Sequence, residues 1–413
     1  MEKVILAHIY RPAEKTEAVS YLAECRSLCE ACGLEVLAEV TQQSESADPR
    51  TAFRKGKLEE LRRTVSETGA DGVVFAYRLT VAATNRIADY CGVPVIDRTA
   101  LILQIFSARA KTKQAKLQVE SARLQYALPA LADHDEIQTH QRGGGYANRG
   151  AGEMRSAVIK RRYQSRIREL KQELKAIERE NNVAERRRQK TLLGRCALVG
   201  YTNAGKSSLM NALLEKCGFS GRSVEAADML FATLDTSVRS IRWNSKEFLL
   251  YDTVGFVSDL PHELVEAFHT TLASARNADL LLHVIDASDP LYARKREITE
   301  ETLKQIGAGD IPVLRVYTKT DLTDEKDFGG IMVSSVTGEG LENLLEEIQK
   351  RLYPADEEMT CLVPYDKMKL VSEGRKILHM ETVEEREEGI VLRISGPASF
   401  LRPFAKYRIK EEL

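Results

Sequence analysis

Eight consecutive residues, Gly200-Tyr201-Thr202-Asn203-Ala204-Gly205-Lys206-Ser207, have the types and spacing of a loop that cradles phosphate: Gly, four residues, then Gly-Lys-Ser. The glycines let the backbone curl until successive N–H groups point at phosphate oxygens. A helix that begins where the loop ends adds its positive pole. Lys206 then reaches the β- and γ-phosphates, and the Ser207 hydroxyl holds magnesium, with Ser208 next in the helix. Such a loop works only between a strand and a helix. Arg195–Val199 is an apolar run long enough for a buried strand, and Ser208–Leu214 has helical apolar spacing.

Three further stretches decide which nucleotide and which chemistry. Asp252-Thr253-Val254-Gly255 follows a strand-like run. Its Asp252 suits a water-mediated contact to magnesium, and its Gly255 N–H suits the γ-phosphate. Phe231-Ala232-Thr233-Leu234-Asp235 lies between these motifs in a stretch with little periodicity, and Thr233 is the candidate hydroxyl that closes on magnesium only when a γ-phosphate is present. Lys206, Thr233 and Gly255 are therefore the candidate catalytic set, and Ser207, Thr233 and (through water) Asp252 the candidate Mg²⁺ ligands. Thr318-Lys319-Thr320-Asp321 ends a strand-like run. A carboxylate there accepts both N1–H and the N2 amine of guanine, a donor pair that adenine lacks, while the lysine stem lies along the base. Ser334-Ser335-Val336 follows the next strand and offers a backbone N–H to the guanine O6. GTP and GDP are the expected ligands. Phe256 stands where a water-orienting polar side chain would be useful, so unaided hydrolysis is expected to be slow. His262 is the nearest titratable group, but Leu260-Pro261-His262 reads first as the start of a helix.

The rest of the chain must position these groups. At 413 residues it is too long for one core. Its 60 basic and 61 acidic side chains nearly cancel, so only local charge runs speak about partners. No apolar run approaches the ~20 residues of a membrane span. Met1-Glu2-Lys3-Val4 shows no charged leader with a long apolar core behind it. Cys25, Cys29 and Cys32 share a helical face with Leu22, which suits apolar packing rather than a metal site. A reducing, cytoplasmic setting is the expectation.

Four segments follow. Residues 1–98 alternate short apolar strands with helical stretches, the pattern of a small, mainly parallel α/β layer with no phosphate loop of its own. In 99–192 one long helix is expected from Ala100 to about Leu131, with Ala110, Leu117, Leu124 and Leu131 recurring every seven residues, then a glycine-rich loop at 143–152, then a second long helix from about Glu153 to Lys190. Ile159, Tyr163, Ile167, Leu170, Leu174 and Ile177 step by four and three along the second, a coiled-coil seam. Two such helices pair most simply as an antiparallel hairpin with the glycine loop at its tip. Residues 193–354 give a larger α/β alternation, and 355–413 a small α+β appendage without a chemical motif. Arg149, Arg155, Lys160, Arg161 and Arg162 sit at or just beyond the glycine loop. Two readings stand for them: a solvated helix face, which Glu173 and Glu178 support further along, or contact with packed RNA.

Motif order and wording resemble the HflX family of ribosome-associated GTPases, in the group that includes Obg and Era. The G-Y-T-N-A-G-K-S loop, F-A-T-L-D and D-T-V-G-F carry the likeness. So do Gly56-Lys57-Leu58-Glu59-Glu60-Leu61, Lys116-Leu117-Gln118-Val119-Glu120, Arg123-Leu124-Gln125-Tyr126 and Arg149-Gly150-Ala151-Gly152-Glu153. The resemblance covers residues 1 to about 353. It implies a P-loop GTPase that uses Mg²⁺, binds the large ribosomal subunit and its rRNA through the amino-terminal part and glycine loop, and separates stalled or idle ribosomes. A monomer is expected. The chain departs from the family pattern at Thr318, where Asn is usual, at Ala151, where Pro is usual, and at Ser335, where Ala is usual.

Overall fold

The computed structural model describes residues 2–141, 149–189, 193–218, 231, 237–244, 246–257, 275–325, 327–353, 356–375 and 377–409. The chain divides into two compact units. The first is built on Met1–Ile177 and also holds Phe231; the second holds the described residues from Glu178 onward, Phe231 apart.

The first unit opens with β1 (Lys3–Tyr10), α1 (Lys15–Ala31), β2 (Glu35–Gln43), α2 (Lys55–Thr68), β3 (Gly72–Phe75), α3 (Val81–Cys91) and β4 (Val95–Asp97). The strands form one parallel sheet in the order β2-β1-β3-β4. Strand β1 is central, and its Val4–Ile9 run is buried throughout, as a parallel strand covered on both faces requires. Ile5, Phe53, Leu61, Phe75 and Ile87 form the centre of its core. Cys25 and Cys29 are fully buried on α1.

The long helix expected from Ala100 is two helices, α4 (Arg98–Arg109) and α5 (Lys113–Gln141). Ala110 is extended, and the Thr112 hydroxyl accepts a hydrogen bond from the Ala115 N–H at 3.1 Å. This is an N-cap, and it starts a new helix where heptad spacing alone runs on. The second long helix, α6, spans Arg149–Gln189, so the last four residues of the expected glycine loop are helical. Gly150 and Gly152, each costing about 1 kcal/mol in a helix, are too few to stop a 41-residue helix. Helices α5 and α6 meet through an ion pair, with Arg166 Nε 2.8 Å from Glu120 Oε1. Ile167 and Leu170 of the seam are buried, whereas Ile159 is exposed.

The second unit holds a six-stranded sheet. Its elements are β5 (Gly194–Gly200), α7 (Lys206–Lys216), β6 (Ser237–Trp243), β7 (Lys246–Asp252), β8 (Leu280–Asp286), α8 (Tyr292–Gln305), β9 (Val313–Thr318), β10 (Ile331–Met332) and α9 (Leu341–Leu352). The order is β10-β9-β8-β5-β7-β6, parallel except for β6 against β7. Strand β6 was not visible in the sequence because this edge strand buries only Ile241. Tyr353 closes the sheet: its hydroxyl donates to Glu247 O at 2.6 Å and accepts from Gly194 N at 3.2 Å. A three-stranded antiparallel sheet follows, in the order β11-β13-β12, from β11 (Asp356–Val363), β12 (His379–Arg386) and β13 (Gly389–Pro397), with short helices α10 (Met368–Gly374) and α11 (Ala398–Leu401). It has its own small core around Cys361, Ile394 and Phe404.

Candidate nucleotide-binding site

Strand β5 pairs with β7 on one side and β8 on the other, so its carboxyl end opens at the middle of the sheet. The loop from Gly200 to Gly205 leaves that end and turns into α7. Gly200 is required where it stands, because a Cβ there would lie 2.3 Å from Val284 O on the neighbouring strand. The loop curls through left-handed conformations at Asn203 (φ 60°) and Gly205 (φ 83°), the latter being the residue before the first turn of α7. Curl and helix start together supply the row of N–H groups that a phosphate needs.

Lys206 is 6% exposed and bends back over the loop, its Nζ donating to Tyr201 O at 2.7 Å and Gly200 O at 3.1 Å. Burial lowers its pKa to about 8, and the charge of Asp252 works in the opposite direction. Ser207 Oγ donates to Asp252 Oδ2 at 2.7 Å, and Asp252 is fully buried. A hydroxyl and a carboxylate side by side are hard oxygen donors of the kind Mg²⁺ takes, so the donor set fits that ion. Thr253 faces away, its hydroxyl donating to Leu198 O at 2.6 Å and fixing β7 to β5.

Gly255 and Phe256 lie directly on the loop. Thr202 N donates to Phe256 O at 2.6 Å and Phe256 N donates to Gly200 O at 3.0 Å, which prolongs the pairing past the end of the strands. A Cβ on Gly255 would stand 2.8 Å from both Lys206 Nζ and Thr202 Cα. The Phe256 ring is buried and offers water no polar atom.

At the other end of the site, Thr318 is buried at the tip of β9. Its Oγ1 lies 2.7 Å from Ala204 O and 3.1 Å from Ile285 O, so it ties the base-recognition segment to the phosphate loop. Lys319, at φ 57°, reaches Asp286 Oδ2 at 2.7 Å. Asp321 is exposed, and its Oδ1 accepts from Ser334 Oγ at 2.6 Å. Ser334 in turn accepts from Val336 N and Thr337 N. The 334–337 turn and the Asp321 carboxylate are thus held as one group.

Asp286 was not singled out from the sequence; a carboxylate at the end of β8, one strand from the base motif, was the available signal. The sequence marks Tyr201 only as a loop position, yet Lys295 Nζ of α8 lies 5.0 Å from its ring centroid. Phe231 packs edge-on against Phe106 within the first unit, at 4.5 Å and 78°. Ala232, Thr233, Leu234, Asp235 and His262 lie outside the described residues. Lys160, Arg161 and Arg162 are exposed on α6; Arg149 and Arg155 are on the same helix, with side chains outside the description.

Fold and site together define a P-loop GTPase. A family model described as "50S ribosome-binding GTPase" matches residues 195–319, and models described as "GTP-binding GTPase N-terminal", "GTP-binding GTPase Middle Region" and "HflX C-terminal domain" match 19–107, 109–188 and 323–394. The chain is 40% identical over 370 residues to GTPase HflX of Caldanaerobacter subterraneus subsp. tengcongensis, covering 89% of this chain and 84% of that one. It is 35% identical over 401 residues to GTPase HflX of Escherichia coli, covering 94% and 92%. A GTP-binding protein from Sulfolobus solfataricus solved in complex with GDP aligns over 85% of this chain and 99% of its own, at 23% identity and a TM-score of 0.45. The chain belongs to the HflX family of GTPases.

Proposed function

We propose that this protein hydrolyses GTP slowly when alone and faster on the large ribosomal subunit, and that it uses this cycle to separate stalled or idle ribosomes. The observation that carries the hydrolase reading is the assembly at one strand end of Lys206, the Ser207–Asp252 pair and Gly255. Lys206 is placed to exchange its two carbonyl partners for β- and γ-phosphate oxygens. Ser207 would hold Mg²⁺ directly and Asp252 through water, and the ion would neutralise charge on the transferred phosphoryl group. The Gly255 N–H is suited to the γ-phosphate, and Thr233 to sensing it. Asp321 reads guanine through its free carboxylate face. The buried Phe256 ring supports a slow intrinsic rate, because nothing at that position orients water. The family's ribosome-binding description supports the partner.

The test compares GTP turnover of the parent and Lys206→Ala, with and without large subunits. Loss of the loop's cation should cost on the order of a hundredfold or more in turnover. Parent-like hydrolysis by the variant removes the loop as the site. Sucrose gradients of whole ribosomes with a non-hydrolysable GTP analogue then address separation, and an unchanged whole-ribosome peak leaves a role in subunit assembly instead.

A further inference from the structure

The geometry points to a second binding site, in the amino-terminal parallel sheet, that takes an unpaired nucleotide of RNA. A cavity of about 790 Å³ opens at the carboxyl ends of the strands, a size suited to a small ligand. The sheet order β2-β1-β3-β4 means that the chain leaves β1 to one side and returns on the other. The crevice between the ends of β1 and β3 is therefore a topological switch point, where open parallel sheets bind ligands. His8 and Tyr10 come from β1, Tyr77 and Arg78 follow β3, Tyr21 comes from α1 and Arg98 begins α4.

These side chains are built into a ladder. The His8 ring lies nearly parallel to Tyr10 at 6.1 Å and to Tyr21 at 5.2 Å, both at 25°. The Arg98 guanidinium sits 4.5 Å from the Tyr21 centroid and is held by Glu24 at 3.1 Å. Arg98 is 3% exposed and His8 7%. His8 Nδ1 is buried and has no hydrogen-bond partner among the described residues, an orphan that calls for an explanation. Burial, reinforced by Arg98, lowers the His8 pKa to about 4. The ring is neutral at pH 7, so a nitrogen that meets the edge of a base can either donate or accept, according to the tautomer.

The charges select among nucleotide ligands. Glu14, Glu17 and Glu45 line the cavity with Arg11, Arg78 and Arg98, so the lining carries no net charge. No glycine is among the residues that line the cavity, so no flexible backbone loop is there to wrap a polyphosphate. A stacked base with a single phosphodiester suits this lining, with Tyr77 on one side of the mouth and Arg78 beside it. Splayed bases of single-stranded RNA are recognised in this way, by aromatic stacking and by hydrogen bonds to their edges. The choice of RNA as the source rests on the ribosome-directed function proposed above.

The test uses the full-length protein and a short hairpin RNA carrying 2-aminopurine at one bulged position. Stacking in the cavity should quench its fluorescence. Tyr77→Ala combined with Arg78→Gln, both at exposed positions, should weaken binding tenfold or more and leave basal GTP turnover unchanged. His8→Phe keeps the ladder and removes the nitrogens, so it should reduce discrimination among bases at the bulge. One phosphate contact implies a salt slope of about 0.7. Parent-like affinity in the double variant overturns the site, and so does a slope near three, which marks a diffuse basic surface. Free AMP that competes as strongly as the RNA assigns the cavity to a metabolite and also overturns it. Co-sedimentation with large subunits separates the two readings. Sedimentation without quenching removes this site and leaves the ribosome reading standing, whereas quenching without sedimentation does the reverse.

Discussion

Thr318 has one hydroxyl proton, and two carbonyl oxygens lie within its reach, Ala204 O at 2.7 Å and Ile285 O at 3.1 Å. A hydroxyl so directed cannot also donate to a ring nitrogen of the base. The asparagine usual in the family carries two amide protons, and threonine keeps only the tie to the loop. On the proposed reading, recognition of guanine would then fall to the Asp321 carboxylate and the 334–337 turn, and the N7 edge would go unread. GTP and 7-deaza-GTP should bind this protein within about twofold of each other. Thr318→Asn, by adding a donor of about 0.5–1.5 kcal/mol, should separate them by roughly two- to tenfold. Competition against a fluorescent GDP analogue measures both, and strong discrimination by the parent would refute the account.

At the level of elements, two helices carry predictions. Helix α5 depends on its Thr112 cap. Thr112→Ala should cost about 1 kcal/mol, or 2–4 °C in a thermal melt of a domain this large, and an unchanged melt would show that the break in the helix is fixed by packing alone. Helix α6 exposes Lys160, Arg161 and Arg162. If they meet RNA phosphates, changing all three to Gln should reduce the salt slope of ribosome binding by about two to three and leave ribosome-free GTP turnover intact. A titration at several salt concentrations decides, and an unchanged slope returns these residues to a solvated face. The same helices show where sequence reading stops. The heptad Ala110, Leu117, Leu124 continues across the break, because spacing records which face is apolar and not where a hydroxyl caps. Strand β6 was invisible for a related reason: with one buried side chain, its pattern carries little apolar signal. The phosphate loop was legible because its chemistry is local, every group lying within eight residues. Asp286 with Lys319 was harder to see, since that pair forms only when β8 and β9 lie side by side.

For the molecule as a whole, each unit buries a histidine whose Nδ1 has no partner among the described residues, His8 in one and His283 in the other. Burial first, and nearby arginines second, lower their pKa values to about 4 and about 3. Both lie below the unfolded value near 6.5, so in acid the unfolded chain takes up protons before the folded one does. Stability is therefore full above pH 6.5 and is lost as pH falls toward 4, by up to about 1.4 kcal/mol per pH unit for each histidine. His283→Phe should shrink the drop in melting temperature between pH 7 and pH 5, whatever its effect at pH 7. An unchanged drop would assign the acid sensitivity to carboxylates. The clasp of Tyr353 on Gly194 has a consequence for how the protein is made. Gly194 and Tyr353 are 159 residues apart, and Thr318 and Ala204 are 114 apart. At 5–20 residues per second, the ribosome delivers the phosphate loop roughly 7 to 30 s before the tyrosine that seals its strand. A nascent chain thus carries the loop long before it has the sheet that shapes it, and nucleotide binding is expected only late in synthesis, when nearly the whole sheet has emerged.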